Sequence, residues 1–219
     1  MNNNLIFGGK IIIPIALLLL LFFGCASMMP SGKILYTGKD IEGDAKTGLI
    51  VVGSSNPQTK PYVMIGSPSN DIVFYLPACD KWELESGIKA PIFARNNQYM
   101  ATVNIGTGSI DTPKEFYKKL MDDMRNSGKC LIRNVDEISI PGSNKLILRY
   151  QLKMTESPAK NPQWNTWKWS YWVAAPHNSK WYSLHLSVLD QNEEQISHED
   201  SKIVYVLSLF DPGYFSRKR

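Results

Sequence analysis

The sequence predicts an α+β domain in which an antiparallel sheet of about six strands is layered with two main helices. Three observations carry the prediction. Thr112-Pro-Lys-Glu115 is a capping box with proline in the first helical position, followed by Phe116, Leu120 and Met124 at helical spacing and Gly128 as a stop. Four runs between residues 130 and 188, rich in β-branched and aromatic residues and parted by short turn signals, read as successive antiparallel strands. The closing segment opens on Ser197-His-Glu-Asp200 and sets Ile196, Ile203, Leu207 and Phe210 on one helical face. Strands, helix, four strands, helix is the order of a layered α+β domain.

Each element has its own signal. Leu49-Ile-Val-Val52 and Tyr62-Val-Met-Ile65, parted by Gly53-Ser-Ser-Asn-Pro57, read as a hairpin within an extension at 35–66. Ile72, Phe74 and Leu76 alternate before Pro77, and Tyr99, Ala101, Val103 and Ile105 alternate before Gly106-Thr-Gly108, so both are strands. Residues 130–140 carry Ile132, Val135, Ile138 and Ile140 as one strand, with or without a bulge, ending at Pro141-Gly142. Leu146, Leu148, Tyr150, Leu152 and Met154 then share a face opposite Lys145, Arg149, Gln151 and Lys153, with Ile147 the exception. Trp167, Trp169, Tyr171 and Val173 form the next core face, and a turn through Pro176-His-Asn-Ser179 returns the chain as Tyr182, Leu184, Leu186 and Val188. The final IVYVLSLF has the composition of a strand, but the acidic start and the helical face predict a helix.

At the amino terminus, the apolar run Ile11–Phe23, broken only by Pro14, is shorter than the ~20 residues of a membrane span. Lys10 precedes it and no acid occurs in the first twenty-four residues, which is the charge pattern of an export signal. With Gly24 before Cys25, the stretch LLLLLFFGC resembles the lipobox of bacterial lipoproteins, although Phe22 and Phe23 stand where the usual pattern has leucine and a small or β-branched residue. The resemblance implies cleavage after Gly24 and acylation of Cys25, so that the partner at this end is the lipid bilayer. Ala26 and Ser27 follow without an aspartate in the second place, which favours the periplasmic face of the outer membrane over the inner membrane. A plain secretory signal cut after Ala26 and an uncleaved anchor are the alternatives.

Further along, Tyr75-Leu-Pro77 with Trp82 five residues on, the Thr112-Pro113 helix, the antiparallel run and the closing helix together resemble the PsbP-like fold over about residues 68–212. Its members include an extrinsic photosystem subunit, a yeast Ran-binding regulator and many exported bacterial lipoproteins. The resemblance implies an accessory or binding module and brings no catalytic motif. The organisation expected is a signal at 1–24, a tether at 25–34, the β extension at 35–66, the PsbP-like domain at 67–212 and a basic tail at 213–219.

Removing residues 1–24 from the 219 leaves 195, enough for one domain with a substantial core, and lowers the net charge from +4 to +3 because Lys10 leaves without an acid. Such a charge, with no long basic run, does not call for nucleic acid. No zincin, nucleophile-elbow, Cys-x-x-Cys, phosphate-loop or calcium-loop motif occurs, and His177, His185 and His198 are isolated in sequence, so no catalytic residue, metal ligand or cofactor is assigned. With Cys25 lipidated, Cys79 and Cys130 are either a disulfide pair or two buried thiols. In WNTWKWSYW, Trp167, Trp169 and Tyr171 fit the core side of a strand, which leaves Trp164, Trp172 and Trp181 as candidates for exposed contacts. The opposite face, with Lys145, Arg149, Lys153, Lys168 and His185, is a solvated face or a shelf for an anionic glycan, head group or acidic partner. Two functions follow: a non-enzymatic lipoprotein that binds a protein or an envelope component such as a glycan, or a cell-envelope hydrolase or other enzyme whose site is assembled only in space.

Overall fold

The computed structural model describes residues 33–35, 41–44, 49–52, 62–77, 82–85, 92–107, 112–155, 166–189 and 196–218. Gly24, Cys25, Cys79 and Trp164 lie outside the described residues. The strands are β1 (Lys33–Leu35), β2 (Ile41–Asp44), β3 (Leu49–Val52), β4 (Tyr62–Ser67), β5 (Ile72–Pro77), β6 (Glu83–Glu85), β7 (Ile92–Arg95) and β8 (Tyr99–Thr107). Helix α1 (Pro113–Ser127) follows, then β9 (Cys130–Ser139), β10 (Leu146–Met154), β11 (Lys168–His177), β12 (Lys180–Val188), helix α2 (Ile196–Ser208) and β13 (Asp211–Pro212).

The α+β class holds, but the strands form two antiparallel sheets rather than one of about six. One has the order β1-β6-β7-β8-β12-β11-β10-β9 and the other β13-β5-β4-β3-β2. The expected hairpin is present, with Val51 opposite Ile65, and β4 continues the same sheet into β5, so the extension is hydrogen-bonded into the domain.

Alternation decides which face of the large sheet meets which layer. Leu148, Tyr150, Leu152 and Met154 face α1, which supplies Tyr117, Leu120, Met121 and Met124. Ile147, the exception in its run, points the other way with Tyr171, Val173, Leu184 and Leu186, into a second core shared with the five-stranded sheet and with Ile203, Leu207 and Phe210. From β10 to β12 the large sheet is therefore covered on both faces, whereas Met100, Thr102 and Asn104 of β8, on the α1 side, are only partly buried. In β12 every residue from Trp181 to Val188 is buried, although its α1-facing positions include Ser183, His185 and Ser187.

The helix signals act as read. Thr112 Oγ1 accepts the Glu115 N–H at 3.2 Å, Pro113 starts α1, and Gly128 ends it at φ 66°. The last segment is helical because Ile203, Val206, Leu207 and Phe210 are all buried at helical spacing, and no strand could bury that set on one face. The β11–β12 turn puts Asn178 and Ser179 at φ 48° and 57°, the geometry of a two-residue hairpin loop.

Residues 213–217 of the expected basic tail fold back. The Phe215 and Ser216 N–H groups both donate to Asp71 Oδ1 at 2.8 Å, and Arg217 pairs with Asp211. Burial opposes the charge of Asp71, but these bonds and His177, 3.1 Å from Oδ2, hold its carboxyl below the usual carboxylate range.

Candidate interaction site

The basic face expected to be open is used up inside the fold. Arg149 projects towards α2, where its Nη1 donates to Asp200 Oδ2 at 2.6 Å and its Nη2 to Asp136 Oδ2 at 2.8 Å. Tyr171 donates to the other oxygen of Asp200 at 2.8 Å. Burial works against the guanidinium, and the two carboxylates outweigh it and raise its pKa above the ordinary value. Lys145 donates from Nζ to the Ser208 carbonyl at 2.6 Å, capping the C-terminal end of α2, while burial lowers its pKa. Lys153 stays partly exposed near the end of β10. Lys168 and His185 are buried. These positions form neither a solvated face nor a shelf for an anion, because a second layer packs on each side of the sheet.

The tryptophans are corrected for the same reason. Trp172 and Trp181 are 2% and 5% exposed, and both sit under α1. The Trp172 indole donates to the Tyr150 hydroxyl at 2.8 Å and stacks on His185 with ring centroids 4.4 Å apart, while Trp181 stacks on Phe116. His185 lies beside Ser187, with Nε2 3.1 Å from Oγ, and burial pushes its pKa down to about 3. Among the core-side aromatics, Tyr171 is buried as expected.

Cys130 is a free, buried thiol. Its Sγ donates to the Met124 carbonyl at 3.6 Å and burial raises its pKa, while Cys79, the other member of the expected pair, lies outside the described residues. Cys130 begins the edge strand of the eight-stranded sheet beneath α1.

Among the described residues an open groove of about 450 Å³ lies between α1 and β9. Tyr117, Met121, Leu148 and Val135 give it apolar walls, and its charged lining is mixed: Lys114, Lys118 and Arg125 with Glu115, Asp122 and Glu137. Tyr117 is fixed at the base: its hydroxyl donates to the Leu146 carbonyl at 2.6 Å and accepts the Ala174 N–H at 3.0 Å, and burial raises its pKa strongly. Val135 is 43% exposed beside that apolar wall.

A bulge builds the groove. Pairing of β9 with β10 runs from Ser139 to Asp136 opposite Leu146 to Arg149, then resumes at Arg133 opposite Gln151, so Asn134 and Val135 together face Tyr150. Asn134 takes φ 53° to make the step. The shift reverses the alternation of everything beyond it, bringing Asp136 to Arg149 and Ile138 to the second core, and turning Val135 and Glu137 towards α1. The visible signal in the sequence is the broken rhythm of Ile132, Val135 and Ile138.

No family model and no curated protein matches the chain. Among solved structures it is similar to the solution structure of cyanobacterial PsbP (CyanoP) from Synechocystis sp. PCC 6803. That likeness has a TM-score of 0.43 and 12% sequence identity, and it covers 86% of this chain and 96% of the other. At this overlap no role passes from one chain to the other.

Proposed function

We propose that this is an exported protein, anchored by acylated Cys25, whose folded domain is a non-enzymatic accessory or binding module for a protein or envelope component. The leader supports the address: a positively charged start, a short apolar run and Gly24-Cys25 at its end. Each buried acyl methylene contributes about 0.8 kcal/mol, so two or three chains on one sulfur and amino group hold essentially permanently. The periplasmic face of the outer membrane is the site of choice.

One observation supports binding over chemistry. The groups best suited to move protons or polarise a substrate are committed within the fold, with Arg149 between Asp136 and Asp200, Lys145 on the end of α2, and His185 enclosed. An accessible concavity among the described residues is instead an apolar groove with a charged rim. Growth with radiolabelled fatty acid followed by membrane fractionation tests the anchor. Label should appear on the wild type and vanish in Cys25→Ser, and an unlabelled wild type refutes it. Turnover of cell-wall fragments by the purified protein would overturn the non-enzymatic half.

A further inference from the structure

We infer that the open edge of β9 together with the α1 groove receives an extended peptide strand, carrying an aliphatic side chain for the groove and a carboxylate for Lys114 and Lys118. The inference rests on the binding-module reading and names the partner's chemistry. Sheet edges among the described residues differ greatly in length. β9 spans ten residues, whereas β1, β2 and β13, which end the other edges, span three, four and two. Along its outer side β9 meets no strand among the described residues, so a row of N–H and C=O groups is left whose natural complement is another backbone in extended form.

The bulge limits where that strand can lie. It interrupts the edge at Asn134 and Val135, leaving Asp136–Ser139 as a regular run directly beside the groove. An added strand in register with this run sends alternate side chains to the α1 face, where Val135, Met121 and Leu148 offer an apolar slot. The neighbouring inward position meets Lys114 and Lys118, one helical turn apart and without an acidic partner among the described residues. On the same helix Arg125 has Asp122 at 4.0 Å, and on the strand Asp136 is held by Arg149, so Lys114 and Lys118 are the cations beside the slot that a partner's carboxylate would meet, with Glu115 and Glu137 lining the same groove. Bulges and charges also protect edges from unwanted pairing, and this rival makes the opposite prediction of no binding.

The test uses the soluble mature chain lacking the lipid, isotope-labelled, with two synthetic peptides: one alternating Val and Glu, and one of the same composition with proline substituted at alternate positions. The first should bind saturably, move the amide resonances of residues 135–139 and of α1, and slow hydrogen exchange along β9. The proline peptide should not. Val135→Lys should abolish the effect, and the pair Lys114→Glu with Lys118→Glu should weaken it about tenfold. All three positions are on the surface, so folding is retained. Absence of slowed exchange in β9, or equal binding of the proline peptide, overturns the inference. Photo-crosslinkers at Val135 and at the distant, half-exposed Tyr205 separate this failure from a broader one. In cells, an envelope partner captured from Tyr205 and not from Val135 rejects the β9 site while leaving a binding module in place.

Discussion

Lowering the pH should destabilise this domain through His185, by an amount that the structure allows to be worked out. The imidazole is 1% exposed, stacked on Trp172 and bonded to Ser187, whose Oγ in turn lies 3.3 Å from Ser170 Oγ. Burial pushes its folded pKa down to about 3, against about 6.5 in an unfolded chain. The sign follows from proton counting. Above pH 6.5 both states hold a neutral ring and nothing is lost, whereas below it the unfolded chain binds a proton that the folded one refuses, so stability falls progressively towards pH 3. At pH 5 the loss is about 2 kcal/mol, and for a chain of this size that lowers Tm by about 4–8 °C. Carboxylates also titrate in acid, so the quantity to measure is a difference. Urea unfolding of wild type and His185→Gln between pH 7.5 and 5 should show the variant less stable at the upper end and the gap closing by about 2 kcal/mol at the lower. Parallel stability curves would refute the reasoning, because they would mean that the ring is protonated in place or is reached by water.

Three further outcomes follow from packing. Trp172→Ala should cost about 3–5 kcal/mol in urea unfolding, since it empties a buried site and removes the indole bond to Tyr150; a loss under about 0.5 kcal/mol would restore Trp172 as a surface contact. Gly213→Ala should cost about 1–3 kcal/mol, because Gly213 has φ 82° and a Cβ there would clash with the His177 ring; an unchanged midpoint would show that the turn at Asp71 yields freely. In a Cys25→Ser, Cys79→Ser background, Cys130 should resist a thiol reagent until the protein unfolds, and labelling at the rate of a free thiol would contradict its burial under α1.

The elements were legible where local chemistry and tertiary demand agree. The Thr112 cap, the Gly128 stop and the helical spacing of Leu120 and Met124 act within one turn of chain and need no knowledge of what packs on them. The same holds for Asn178-Ser179 in the hairpin and for the closing helix, where four apolar residues at helical spacing outweigh a strand-like composition. The number of sheets was not legible. β4 and β5 read as ordinary strands, and nothing in Tyr62–Pro77 says whether they extend the large sheet or stack upon it, because pairing partners are chosen by contacts far apart in sequence.

The site failed to show for a related reason, one that bears on where any partner can act. Alternation marks an outward face only when one side of a sheet meets water, and over β10–β12 α1 covers one side while α2 and the second sheet cover the other. Arg149 and His185 therefore looked like surface residues, yet one is neutralised by Asp200 and Asp136 and the other enclosed by aromatic packing. Where the sheet is covered in this way neither face is offered, and a route to another molecule is along a free edge. That is the physical reason to attach weight to β9: its bulge turns Val135 to the groove and Asp136 to Arg149 in one step, so the residue that anchors the strand to the core and the one left for a partner are neighbours in the chain.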